Sequence, residues 1–416
     1  MKKFKGWQLV GATMAMQAAA SGSVFVSFSV VASQIQTVFE PSRTLLMMAM
    51  TMVLVGSGIL SPILGQAMER VSIRKLMVAG AACLGAGFIA LSFAASMQQV
   101  LAVYLVILSI ATVLCGPIAS SALLARWFNK RRGLAMSISA AGAALGGLIM
   151  PPLLQHLFDL YSWSGALRLF GAGLIVFLVP LLATLIIDRP EDVAQYPDDD
   201  ETSSKVQAQQ PAQNALTLYL RDTNFWVLGV ILGILFASTM GITSNLIQVA
   251  GEQGISPSQG AFLLSVFSST NFIGKLLGGA VADKFNPKRV LSGMILVLSI
   301  GVIVLSQSEL YPSFLFASAV LGISQGAFVP LWSFMMATLY GAERVGSSMG
   351  AMSTLLTPFN FIAPPLFGFV FDQTGSYAHA FMGCVGFLIG ALLLLTLLKM
   401  PQHGNGIGFA NKALTE

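Results

Sequence analysis

Charge is what this chain has least of. Only 9% of its 416 residues are Asp, Glu, Lys or Arg, whereas 55% are hydrophobic, against about 25% and roughly 45–50% in ordinary soluble domains. So small a supply of charge cannot cover a water-facing surface. Histidine is scarce, with three residues, and the three cysteines, Cys83, Cys115 and Cys384, lie inside apolar runs; an odd number in that setting implies no disulfide framework. A phosphate-binding Gly-Lys loop, a cluster with metal-ligand spacing, and a nucleophile with base and orienter are all absent, so neither enzyme chemistry nor a cofactor is expected. The net charge of +5 would in a soluble protein point to a polyanion. Here the basic residues stand in short loops between apolar segments, so they report orientation rather than a nucleic-acid partner.

What the chain does have is apolar runs of about 18 to 25 residues from end to end, each long enough to cross a hydrocarbon core of about 30 Å. The partner is therefore the lipid bilayer. The runs predict twelve helices, near residues 7–33, 44–67, 75–96, 99–125, 134–157 and 165–187, then 224–250, 259–282, 289–306, 311–338, 345–371 and 378–399. The fold class is an all-helical membrane protein. Residues 188–222 carry Asp198-Asp199-Asp200-Glu201 and a Gln-rich stretch at 207–213, a composition that reads as a flexible linker. The expected domains are thus 1–187, a six-helix bundle, the linker 188–222, and 223–416, a second bundle with a short tail. The Lys-rich start with Ala18-Ala19-Ala20 resembles a cleavable signal, but the apolar stretch runs on to Ala32, which suits a spanning helix better. With both termini in the cytoplasm of an inner-membrane protein, 19 Lys and Arg fall on that side, Arg43 and Arg168 fall opposite, and Lys275 is intramembrane. That asymmetry obeys the positive-inside rule.

An internal repeat organises the chain. Gly65-Gln66-Ala67-Met68-Glu69-Arg70, followed by Arg74-Lys75, recurs 214 residues later as Gly279-Ala280-Val281-Ala282-Asp283-Lys284, followed by Lys288-Arg289. Arg131, Gly133, Pro151, Pro152 and Asp159 recur at an offset of 213 as Arg344, Gly346, Pro364, Pro365 and Asp372. Two matches at nearly one offset imply a duplicated six-helix unit, and parallel repeats with a site near the midplane are a transporter architecture.

At these loops the sequence resembles the major facilitator superfamily, whose signature between helices 2 and 3 is a Gly, an acidic residue four later, and a basic cluster. The resemblance implies alternating-access transport, with Gly65, Glu69, Arg70 and Arg74, and Gly279, Asp283, Lys284 and Lys288, as a cytoplasmic latch. The order from Arg126-Trp127-Phe128-Asn129-Lys130-Arg131-Arg132-Gly133 into Gly142 and Gly146 is similar to the monocarboxylate transporters and bacterial oxalate/formate antiporters. In that group helix 8 carries a polar residue, three residues, then a cation; here these are Asn271 and Lys275. The monocarboxylate carriers have Asp and Arg there, so the cation is kept and the carboxylate lost. The second cation of the oxalate carriers has no counterpart in Ser353-Thr354-Leu355-Leu356, and their aromatic cage is replaced by Pro117, Ala143 and Gly326. That comparison argues against oxalate as the substrate, and small residues predict a roomier cavity.

No acidic residue is expected mid-membrane, and Lys275 is the one cation there. An ammonium at that depth costs at least about 2.5–3.5 kcal/mol on insertion scales, so it should face a cavity or a partner. Eight residues from Asp283 is roughly 12 Å of helix, deep for snorkelling. Lys275, with Asn271 one turn away on the same face, is the expected binding site. Gln325, Asn245 and Phe25 are further candidates, and Ser238, Thr239, Thr243, Ser244, Ser268, Ser269 and Thr270 are weaker ones because Ser and Thr commonly bond between helices. The expected substrate is a small organic anion, a monocarboxylate, moved with a coupling proton or in exchange for another anion. The alternatives are a carrier of neutral or hydrophobic solutes, or a membrane sensor on a transporter-like body.

Overall fold

The computed structural model describes residues 4–41, 43–199, 215–308 and 310–400. Lys2 and Lys3, the acidic and Gln-rich stretches from 200 to 213, and the tail beyond 400 lie outside the described residues. Every regular element among the described residues is helical. The helices are α1 (Gly6–Ser21), α2 (Phe28–Phe39), α3 (Arg43–Arg70), α4 (Ile73–Leu91), α5 (Met97–Val103), α6 (Ser109–Leu114), α7 (Pro117–Trp127), α8 (Arg132–Leu160) and α9 (Trp163–Leu185). Beyond the linker they continue as α10 (Ala215–Arg221), α11 (Thr223–Glu252), α12 (Pro257–Ala282), α13 (Pro287–Ser306), α14 (Tyr311–Tyr340), α15 (Val345–Thr374) and α16 (Ala378–Leu397).

Eleven helical stretches among the described residues are long and apolar enough to cross a membrane. The helix α12 has the length, 26 residues, and carries Asn271 and Lys275 among its apolar side chains. Leu148, Val176 and Phe369 are 72%, 73% and 60% exposed, an outward display of hydrocarbon that water would penalise and lipid does not. The protein is a multi-pass membrane protein.

Local chemistry sets the helix ends. Ser256 and Gln259 form a capping box ahead of α12, with Pro257 as its first residue, and Asn286 accepts the Lys288 N–H at 2.9 Å before Pro287 opens α13; both supply acceptors to amides that have no helical partner. Gly341, between α14 and α15, has φ +84, a left-handed conformation that favours glycine. Two spans are interrupted by π-helical turns, Gly22–Val26 after α1 and Tyr104–Leu108 after α5. Cys83, Cys115 and Cys384 are free thiols.

The chain forms two compact units, the first comprising Met1–Leu216 and Gly341–Thr354, the second Thr217–Tyr340 and Leu355–Glu416. Helix α15 therefore contributes its first turns to the first unit and its remainder to the second. In the first unit, α1 and α8 meet at glycines: Gly142 abuts the Met14 carbonyl and Gly146 the Ala18 carbonyl. Gly142 and Gly146 form a packing face there, because only a missing Cβ lets two backbones come so close.

Over its described residues 188–199 the linker departs from its composition. Residues 188–199 are held against the first unit: Asp188 accepts the Arg74 N–H at 2.8 Å, Gln195 accepts the Lys5 N–H at 3.1 Å, and Asp198 accepts the Asn129 N–H at 2.7 Å and the Lys130 N–H. Asp188, Gln195 and Asp198 thereby satisfy amides at loops and helix starts elsewhere in the unit.

Candidate functional site

Within the second unit, α12 and α14 pack along a seam of small residues. Gly274 abuts the Ile323 carbonyl, Gly278 abuts Ala327, Gly322 abuts Thr270 and the Phe267 carbonyl, and Gly326 abuts the Asn271 carbonyl and the Lys275 amide. This corrects one expectation: Gly326 opens no cavity, because the backbone of α12 occupies the space its side chain would fill.

The seam brings two expected site residues together. Asn271 Nδ2 donates to Gln325 Oε1 at 3.1 Å, joining the helices by an amide pair beside Lys275. Ser268, Asn271 and Lys275 follow the i, i+3, i+7 spacing of one helix face. Phe262, Ile273 and Leu277 are exposed and stand on the other side, where lipid would lie. Lys275 is half-buried, and its ammonium makes no hydrogen bond or ion pair among the described residues.

The remaining candidates lie apart. Asn245 Nδ2 donates to the Gly241 carbonyl at 2.8 Å, and its Oδ1 accepts the Tyr377 hydroxyl at 3.4 Å. It stands seven residues, roughly 10 Å, from the α11–α12 loop, whereas Lys275 stands 18 residues, roughly 27 Å, beyond it; the two occupy different depths. Burial, then the Glu252 and Asp372 carboxylates, hold the Tyr377 phenol above its ordinary range. The hydroxyls of Thr239, Thr243, Ser269 and Thr270 return to carbonyls three or four residues back in their own helices. Phe25 is half-buried in the π-helical turn of the first unit.

The loop residues make a second cluster, inside the first unit. Gly65 abuts the Gly346 carbonyl. One turn on, Glu69 Oε1 accepts the Ser347 N–H at 3.3 Å, placing a carboxylate on the first turn of α15, where unpaired amides and the helix dipole favour negative charge. Beside it, Arg126, whose side chain is 6% exposed, pairs with Glu343 at 3.2 Å and donates to the Met68 carbonyl at 3.2 Å; Arg189 reaches Glu343 at 3.7 Å. Sequence reasoning missed Glu343 and Arg189. A signal was available: at the offset of 213 Glu343 stands where the first half has Lys130, a charge reversal inside an otherwise matching loop.

Arg74 and Lys288, one repeat apart, do the same thing in their separate units. Arg74 donates its guanidinium to the Ala183 carbonyl near the end of α9, and Lys288 Nζ donates to the Thr396 and Leu398 carbonyls at 3.1 and 2.9 Å at the end of α16. Each cation satisfies carbonyls at a helix C-terminus. Arg70 and Lys284 are exposed; Asp283 is half-buried, and Gly279 is buried.

Duplicated units of membrane-spanning helices, with one polar and cationic helix face inside an otherwise apolar span, define a polytopic membrane transporter. The sequence model of the Major Facilitator Superfamily matches residues 13–252 and 231–413, and the chain belongs to that superfamily; it is a transporter and not an enzyme. Curated relatives include monocarboxylate transporter 12 of Mus musculus, 25% identical over 76% of this chain and 70% of that protein. Another is MFS-type transporter 1 of an Ophiocordyceps species, 29% identical over 68% of this chain and 62% of that one. Solved structures with the same fold include a proton:xylose symporter, with TM-score 0.75, 14% identity and coverage of 96% and 97% of the two chains. The human organic anion transporter has TM-score 0.69, 15% identity and coverage of 94% and 99%.

Proposed function

We propose that this protein moves a small monocarboxylate across the inner membrane by alternating access, as a symporter or an exchanger, with Lys275 holding the carboxylate. The observation that carries this reading is the ammonium of Lys275, unpaired among the described residues, on the polar face of α12, one turn from the Asn271–Gln325 amide pair. An apolar span retains such a cation only where it has work to do. The relatives named monocarboxylate transporters support the same substrate class. Asn271 in place of the carboxylate of that group leaves the cation without a countercharge in its own helix, which favours an anionic solute as its partner.

In this reading the Gly65–Gly346 approach and the Glu69–Ser347 bond form the latch that opens and closes the side bearing the termini, which we assign to the cytoplasm from the basic-residue asymmetry. Glu343, bridging Arg126 and Arg189, belongs to the same latch. Gly279, Asp283, Lys284 and Arg70 are assigned to it from their place in the repeat. The domain division at 187 and 223 is likewise retained as the functional one.

The test is flux of mono-, di- and tricarboxylates and neutral solutes into proteoliposomes. Lys275→Ala should abolish saturable monocarboxylate flux, and Lys275→Arg should keep binding, since it keeps the charge. Monocarboxylate flux at the native rate through Lys275→Ala would refute the assignment. Flux of neutral solutes alone would establish a carrier of another substrate class, and ligand binding without any flux a sensor.

A further inference from the structure

The first unit holds a cavity of about 320 Å³ lined by Phe4, Trp7, Phe128, Lys130, Arg131 and Asp198. We propose that it binds the headgroup of an anionic phospholipid of the surrounding bilayer.

Depth is the first argument. Trp7 is the second residue of one candidate span, Gly6–Val26, while Phe128, Lys130 and Arg131 lie between the spans Met97–Trp127 and Arg132–Leu160. All four therefore sit where hydrocarbon gives way to headgroups, the level at which Trp and basic side chains concentrate. The aromatic wall is built: Trp7 meets the Phe128 ring at 5.1 Å and Phe4 meets it at 5.6 Å, both edge to face. Trp7 remains 37% exposed, one side packed and one side available to acyl chains and glycerol.

Charge is the second argument. Lys130 and Arg131 are exposed side chains on the wall, and Asp198, the one carboxylate on that wall among the described residues, is already engaged. Asp198 Oδ2 accepts the backbone N–H groups of Asn129 and Lys130, so it serves to fix the loop that presents the two cations. Two cations against one engaged carboxylate, beside an aromatic face, complement a phosphodiester that carries a net negative charge. A competing occupant lies in the chain itself, the acidic residues Asp199, Asp200 and Glu201 that follow Asp198; they supply charge but nothing for the aromatic wall.

The experiment is native mass spectrometry of the full-length protein released from nanodiscs of phosphatidylcholine with and without phosphatidylglycerol. Wild type should retain phosphatidylglycerol in preference to phosphatidylcholine. Lys130→Gln and Arg131→Gln should each reduce that retention about fivefold, near 1 kcal/mol per cation, and Trp7→Ala should lower retention of both lipids. Unchanged phosphatidylglycerol retention in the Lys130→Gln/Arg131→Gln double variant would overturn the proposal. So would an equal thermal stabilisation by glycerol 3-phosphate, which would assign the site to a free anion. A rise in phosphatidylglycerol retention when Asp199, Asp200 and Glu201 are neutralised would assign the cavity to that segment and overturn it too.

Discussion

At the scale of single residues, chemistry in this molecule is concentrated in a few polar side chains that an apolar chain had to accommodate. Asn271 and Gln325 satisfy each other across two helices, and each keeps donor or acceptor capacity for a ligand. Replacing either by Leu should weaken substrate binding about fivefold, the equivalent of one neutral hydrogen bond of about 1 kcal/mol. A double-mutant cycle should return a coupling of about 0.5–1.5 kcal/mol, measured by ligand titration in detergent; strict additivity would show that the two amides act independently. Glu343 presents a different expectation. Its removal as Glu343→Gln takes the ion-pair partner from Arg126, almost fully buried, and leaves it the Met68 carbonyl as hydrogen-bond acceptor among the described residues, so unfolding should cost about 1–3 kcal/mol less. A thermal-stability series by fluorescence-detected size exclusion reads this directly, and Glu343→Asp should recover part of the loss.

At the scale of elements, helix contacts are decided by glycines whose absent side chains admit a neighbouring backbone. Gly146→Val and Gly274→Val should each disrupt a seam, α1–α8 and α12–α14, because the new Cβ meets a carbonyl that cannot retreat; overpacking of this kind costs about 1–3 kcal/mol or more. Gly173→Ala and Gly390→Ala, with open space at the same position, should leave stability unchanged or slightly raised. Equal effects in the two sets would mean the seams carry no packing energy. The repeated C-terminal contacts give a further expectation: Arg74→Ala and Lys288→Ala should lower stability by similar amounts, about 0.3–1 kcal/mol each. A large change in transport rate with no loss of stability would assign these cations to the latch instead of to their helix ends.

At the scale of the whole molecule, the positive-inside asymmetry predicts that cysteines placed at Lys130 and Asp198 are labelled from one side of the membrane, and one at Arg168 from the other. Labelling of all three from the same side would break the twelve-span topology. The sequence by itself determined the fold class, the near positions of the spans and the duplication, because a bilayer imposes one rule on every segment: backbone polar groups must be paired within a helix, and side chains must be apolar. The limits of α13, read as 289–306, and of α11, read as 224–250, differ from Pro287–Ser306 and Thr223–Glu252 by two residues or fewer. The prominence of Lys275 was legible for the same reason, as a charge in the wrong solvent. Only the tertiary structure decided which helix each polar side chain meets. It paired Asn271 with Gln325, set Asn245 at another depth with Tyr377, filled the space at Gly326 with backbone, and bound the linker residues Asp188 and Asp198 to distant amides. Those outcomes depend on crossing angles and axial offsets between helices, which hydropathy along one chain does not encode, because lipid-facing and helix-facing positions are written in the same apolar residues.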